Sequence, residues 1–524
     1  MHAIMPRRLP PLLPTITLLL YGGVLAYAGL QPDLERNLKG WLIMASSLLA
    51  ALLLVLWFLL SRRFRPRTRV LGFLALLLLL FTARLCLKVD GVIDGRGLPR
   101  LAWRWSAKPT TPSVSQPSRQ RAESAGPALA QAADVPQFFG PHRDGHAPDV
   151  RLDPDWLKHP PRELWRHGIG AGWSAFAVAD GLAYTQEQQG EKEIVTCYDL
   201  LTGALVWSHA DTARFDQWQS SEGPRATPAL HQGRVFTYGA TGILNCLDAA
   251  TGSPVWQRRV LEENKIANLE WGVCASPLIV NNLVIVTGGR TRGPVLFAHD
   301  IATGSRVWKA GDDEAGYASP VLATLAGRQV ILSSNARSIT AHDPATGELR
   351  MEHAWGVEKW PKASQPVIAG PDQVFLSAGY GMGCLLLEIK AEPGGRLTAS
   401  ELWTSMKMKT QFNSPALLGH HLFGLDDGRL ACMDLKTGER LWKEGRFASG
   451  QSLIAGDKVI VQNEAGSIHL CAADPQGFKE HGQLPALGSK TWNHPVLAGR
   501  YLLVRNDREA ACYELPVLPQ TDSN

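Results

Sequence analysis

A chain of 524 residues is too long for one ordinary compact domain, which leaves several domains or a repeat architecture joined to a membrane part. The formal charge of +5 gathers in an Arg cluster between apolar runs and in the stretch after them rather than on one folded face, which argues against nucleic-acid binding. Eight cysteines, with no CxxC, CxxCH or adjacent pair, exclude c-type haem attachment and a Cys-based zinc site.

The amino-terminal region, 1–88, predicts transmembrane helices at about 10–30, 41–60 and 70–87. Residues 9–32 and 40–61 carry no charge, and each run crosses a hydrocarbon core of about 30 Å as a helix. The third run contains Arg84, placed near the helix end where its guanidinium can snorkel to the interface. Arg7 and Arg8 precede the first run, and Arg62, Arg63, Arg65, Arg67 and Arg69 separate the second from the third. Both basic clusters belong on the cytoplasmic side, which puts everything after the third span outside. The rival reading takes Ala26–Tyr27–Ala28 as a signal-peptide cleavage site, with the same outcome for the rest of the chain. Residues 89–135, rich in Ser, Pro, Ala, Gln and Thr from 106 onward, are expected to be a flexible extracytoplasmic linker, and 518–524 a disordered tail.

Between them, 136–517 repeats. CYDLLTGALVW ends at Trp207, CLDAATGSPVW at Trp256, AHDIATGSRVW at Trp308 and CMDLKTGERLW at Trp442, while AHDPATGELRM ends at Met351. Weaker copies include the strand before Trp403. Taking Asp199, Asp248, Asp300, Asp343, Glu388, Asp434, Asp474 and Glu514 as markers gives eight units, 40 to 52 residues apart. Each reads as four short antiparallel strands closed by a DxxTG turn, in which Asp accepts from nearby N–H groups and Gly takes the positive φ. Such small sheets cover one another only by stacking radially, so the fold class is an all-β, eight-bladed β-propeller behind a helical membrane region. The last unit stops after three strands, and ELWRH at 163–167 is expected to supply the fourth.

The AxDxxTGxxxW pattern resembles the tryptophan-docking motif of pyrroloquinoline-quinone (PQQ) repeat propellers, and QFFGPHRDG at 137–145 is similar to the opening segment of many bacterial members of that family. The resemblance implies that Trp207, Trp256, Trp308, Trp403 and Trp442 pack between blades. Residues that break the repeat before each innermost strand, Trp173, Arg225, Trp271, Tyr317, Gln365, Asn413, Trp492 and His494, are the candidate ligand or channel face. His494 is also a candidate general base, and Asp426–Asp427 and Asn506–Asp507 are the best oxygen clusters for calcium.

Two functions follow from the resemblance. The first is a non-catalytic, BamB-like scaffold anchored in the bacterial inner membrane, with its propeller periplasmic, holding an envelope protein or another extracytoplasmic ligand, without catalytic residues, metal or cofactor. The alternative is a membrane-bound PQQ-dependent alcohol or sugar dehydrogenase with PQQ and calcium in the channel. A membrane-linked sensor needing a partner is a third use of the same parts.

Overall fold

Apolar runs become helices and the repeat becomes blades, in two compact units, Met1–Lys108 and Pro109–Asn524. The computed structural model describes residues 12–31, 34–106, 132–147, 150–356 and 360–519.

In the first unit, α1 (Leu12–Leu30), α2 (Arg36–Leu60) and α3 (Pro66–Cys86) are each long and apolar enough to cross a membrane. At 1.5 Å per residue they span about 28, 38 and 32 Å. Their leucines face outward, Leu19, Leu48 and Leu78 among them, as an apolar solvent requires and water forbids. The chain after α3 departs from the expected linker. Leu87–Val92 pairs with Pro99–Trp103 as an antiparallel hairpin, because apolar residues alternate on either side of a Gly-containing turn. Residues 107–131 of the expected linker and 520–524 of the expected tail lie outside the described residues.

The second unit is an eight-bladed β-propeller of four-stranded antiparallel blades. Blades I to VII occupy 177–212, 229–259, 278–310, 321–354, 367–405, 416–444 and 451–485. Blade VIII, 496–514, takes its outer strand from Arg162–Gly168, which pairs antiparallel with Glu509–Glu514. The ring is thus closed by the strand that the sequence marks with Leu164 and Trp165.

Each interface repeats one chemistry. Asp248 Oδ1 accepts from the Ala250 and Thr251 N–H groups at 3.2 and 3.0 Å, holding the turn at Gly252, whose φ is +71°. The Trp207 ring of the preceding blade lies where a Gly252 Cβ would stand, and its indole N–H donates to Ala249 O at 2.9 Å. Trp165, Trp256, Trp308 and Trp403 meet the turns of the next blades in the same way, donating to Leu200, Ile301, Pro344 and Leu435. Trp442 donates to Asp474 O. Opposite Trp207, Trp256, Trp308, Trp442 and Trp165 sit small residues, Cys197, Cys246, Ala298, Cys432 and Cys512, each followed by a bulge, whereas Trp403 faces Leu386 at a bulge of the same kind. A small side chain across the ladder leaves room for the indole that leans over it. Cys86 and Cys274 are half-buried, the other six cysteines are buried, and all eight are free thiols.

Candidate functional site

All innermost strands run the same way, so the channel has one end where they start and one where they finish. The opening segment crosses the inner strands. Val135 pairs with Val178 of blade I, Pro136 O accepts from Leu230 N–H of blade II, and Gly145 O accepts from Ile454 N–H of blade VII. His146–Ala147 adds a parallel fifth strand to blade VII, and His146 Nε2 lies 2.8 Å from Leu417 O of blade VI. Two side chains go deeper. Arg143 donates to Pro320 O at 3.0 Å and to Pro277 O, tying blades III and IV, and burial pulls its guanidinium down to about 9. Phe138 and Phe139 stand edge-on to His494 of blade VIII, with ring centres 5.7 and 5.2 Å away. The segment turns through positive φ at Phe139 and Arg143, and Gly145 leaves room for the Phe139 ring. It is a plug fastened to blades all around the ring; the cavity left between it and His494 is about 20 Å³, room for one water, and a wider one of about 540 Å³ lies against Pro136 and Gln137 at blades II and III.

Deeper in the channel, the hydroxyl and amide groups that precede the inner strands join blade to blade. Ala175 N–H donates to Thr227 Oγ, Thr227 N–H to Ser276 Oγ, and Ser276 N–H to Ser319 Oγ, at 3.2, 2.9 and 2.9 Å. Gln365, oriented to satisfy its amide, donates to Ser319 O at 3.0 Å and accepts from Ser319 N–H at 2.9 Å. Asn413 clasps both backbone groups of Leu425. Asn493 donates to Ser174 O at 2.7 Å, carrying the belt from blade VIII back to blade I. His494 lies with its ring nitrogens 2.7 Å from Pro495 O and 3.2 Å from Ser452 O, and burial depresses its pKa to about 4. Of the eight candidate channel residues, Gln365, Asn413 and His494 are therefore buried in the ring's own hydrogen bonding. A general base needs substrate within reach, and His494 sits beneath the plug's phenylalanines.

The other five come together where the inner strands start. Between blades I and II the chain makes an excursion with a small hairpin, Asp216–Gln217 against Ser221–Glu222. Ser220 O accepts from Trp173 Nε1 at 2.7 Å and from Arg225 Nη2 at 3.1 Å, and Arg225 lies 4.4 Å over the Phe215 ring. Gln219 Oε1 accepts from Trp271 Nε1 at 3.2 Å, and Trp271 tilts against Tyr317 at 5.4 Å. Trp173 and Trp492 meet at 4.8 Å. The Lys490 ammonium stands 4.2 Å from the Trp492 ring and 5.4 Å from that of Trp173, and it donates to Ser221 Oγ at 3.3 Å. Trp492 Nε1 donates to Glu464 Oε1 at 2.6 Å. Exposed Phe412 faces Trp492 with ring centres 6.5 Å apart, and Trp218, next to Gln219 in the small hairpin, is exposed. Sequence reasoning missed Lys490, Gln219, Ser220 and Phe412. The Lys-Thr-Trp step at 490–492 was the available signal.

The oxygen clusters considered for calcium are engaged. Buried Asp426 holds Arg440 and Lys443 at 2.8 Å each and Lys409 at 3.5 Å. Asn506 Oδ1 accepts from the Arg508 and Glu509 N–H groups of its own turn. Among the described residues no three His, Cys, Asp or Glu side chains converge as metal ligands. These residues do not fit a quinone–calcium centre, which needs several free oxygens around the ion.

Residues 191–444 match the family described as outer membrane protein assembly factor BamB. Over that stretch, just under half of its length, the chain is similar to that family. The BamB of Burkholderia pseudomallei (strain K96243) is 24% identical over 288 residues, 52% of this chain and 68% of its own. The propeller also superposes on the crystal structure of BamB from Moraxella catarrhalis, with a TM-score of 0.51 and 17% identity, over 68% of this chain and 100% of that one. A europium-containing methanol dehydrogenase gives a TM-score of 0.55 at 13% identity, over 74% of this chain and 98% of that one. At such identities the superpositions speak for the fold, which BamB and dehydrogenases share.

Proposed function

We propose that this chain is a non-catalytic scaffold of the bacterial envelope, held in the inner membrane by α1 to α3, whose periplasmic propeller grips a segment of an envelope protein. The grip is the end of the channel built by Trp173, Trp271, Tyr317, Trp492 and Lys490. One observation carries the reading: hydroxyl and amide groups before the inner strands join blade to blade and the opening segment spans the ring, while the end where the inner strands start gathers aromatic rings and an ammonium group. Aromatic anchors with a cation at their edge hold peptide segments by apolar contact and steer acidic ones. A protein described as an outer membrane assembly factor uses the same repeat domain, which supports protein binding. The arginine clusters before α1 and between α2 and α3 support the orientation.

The test is a photoreactive phenylalanine analogue at Trp218 or Phe412 in the full chain, expressed in cells. The expected result is cross-linking to one envelope protein, falling about tenfold when Lys490→Glu is combined with Trp492→Ala, as a loss of about 1.4 kcal/mol implies. Calorimetric titration of the same chain with PQQ covers the dehydrogenase reading; tight, calcium-dependent binding overturns the scaffold.

A further inference from the structure

The hairpin after α3 has two unlike faces. Its cross-strand pairs Leu87–Trp103 and Val89–Leu101 each share a side of the sheet, and Trp105 continues that side, its ring stacked on Trp103 at 5.2 Å. The opposite side holds Lys88, Asp90, Arg100 and Ala102, with Arg100 paired to Asp90 at 3.1 Å. The apolar side is bare: Leu101 is 62% exposed, Trp103 52% and Trp105 68%. A two-stranded ribbon with such a face is not at rest in water.

The hairpin's position says what covers it. Its base is fastened to the end of α3, where Arg104 N–H donates to Cys86 O at 2.8 Å and Arg104 Nε to Arg84 O and Leu87 O at 3.2 Å. Its tip lies beside the first turns of α2, with Arg96 and Leu98 about 4.0 Å from where a Gly40 Cβ would stand and Trp41 equally close to Gly97. The end of α3 and the start of α2 belong to one side of the membrane, so both attachments fix the hairpin at the level where the hydrocarbon stops. Its apolar face follows the bare Phe81 and Leu85 of α3 without a break in the chain.

We propose that the hairpin 87–103 is an interfacial anchor. Its apolar face lies in the boundary between acyl chains and headgroups of the membrane that the helices cross, with Trp103 and Trp105 at the depth tryptophan prefers and Lys88 and Arg100 toward headgroup phosphates. The inference rests on the reading of α1 to α3 as membrane spans. The propeller's tether then starts at the membrane surface itself.

The test reconstitutes the full chain in phosphatidylcholine–phosphatidylglycerol vesicles and compares it with the Trp103→Phe, Trp105→Phe double variant. The difference in emission isolates these two of the seventeen tryptophans. Lipids brominated near the carbonyl end of the acyl chain are expected to quench that difference about twofold more than lipids brominated near the methyl end. Difference emission that neither lipid quenches overturns the anchor, a blue-shifted position then marking a protein cover and a red-shifted one water. Stronger quenching by the deep bromines overturns it in favour of deep burial. Alkaline carbonate extraction of the same vesicles tests the spans separately. Release of the chain refutes both readings, whereas a retained chain with unquenched difference emission refutes the anchor alone.

Discussion

Glu193 and His494 give the propeller two pH sensitivities of opposite sign. Glu193 is buried against blade II and accepts from Ala240 N–H at 2.9 Å; desolvation, opposed by that hydrogen bond and by Arg225, lifts its pKa from 4.5 to about 7. Between those values the folded state keeps a proton that the unfolded state has lost, so its contribution to stability declines as pH rises from 4.5 to 7. Glu193→Gln removes the ionisation while retaining the acceptor. Relative to the parent, it should gain on the order of a few kcal/mol in denaturant unfolding at pH 8 and change little at pH 4. His494 works the other way, because its folded pKa of about 4 lies below the ordinary 6.5. The neutral ring's contribution is present above pH 6.5 and is lost as pH falls to 4. His494→Gln should therefore narrow its stability gap to the parent across that window, read from unfolding midpoints at pH 7 and pH 4.5.

At the scale of the element, the unit of the fold is a pair across an interface: a tryptophan on one blade and a side-chain-free turn on the next. Gly252→Ala forces a Cβ into a positive-φ position and into the Trp207 ring, whereas Trp207→Phe keeps an apolar ring and loses the bond to Ala249 O. The glycine variant should cost more, about 2 to 4 kcal/mol against about 1 to 2, in the same unfolding assay. The pairing also explains an irregularity. Blade IV ends in Met351, and the next blade carries its outer hairpin past Glu388 to Ala391, where it pairs with Leu397, in place of a DxxTG turn. The repeat was legible because Asp, Thr, Gly and Trp each have a local reason to be where they are, and Trp165 betrayed the closing strand by the same sign. The plug's path was not legible, since Arg143 is held by the carbonyls of Pro277 and Pro320, and a backbone carbonyl leaves no mark in sequence. For the same reason Gln365, Asn413 and His494 read as ligand groups although their partners are backbone or a neighbouring blade. The hairpin after α3 escaped notice because its alternation lasts too few residues to stand out from a polar tract.

A ring differs from an open stack in that removing one strand anywhere unmakes the closure. Here the closing strand is the chain's own amino-terminal part of the propeller, and the residues before it form the plug, so one stretch, 132–168, both seals the channel and locks the circle. A chain beginning at 132 retains every contact described for blade VIII and the plug, and should be a monomer with one cooperative thermal transition. A chain beginning at 169 loses Trp165 from the Gly203 turn, a burial worth about 3 to 5 kcal/mol, and bares Glu509–Glu514 as an unpaired edge. Arg505 still reaches across to Gly170 O at 2.9 Å and Gln186 O at 2.8 Å, so blades VIII and I stay apposed without a shared sheet. Such a molecule should associate through its open edge, seen as concentration-dependent mass in light scattering, and melt earlier and less cooperatively in calorimetry. Added in trans, a peptide of residues 132–168 should restore the monomer, because its Arg162–Gly168 segment carries the hydrogen-bonding partners of that edge. If the shorter chain is already monomeric and melts like the longer one, closure comes from the blade-to-blade belt through Asn493 and Ser174 and from the Arg505 clamp, and the strand is dispensable.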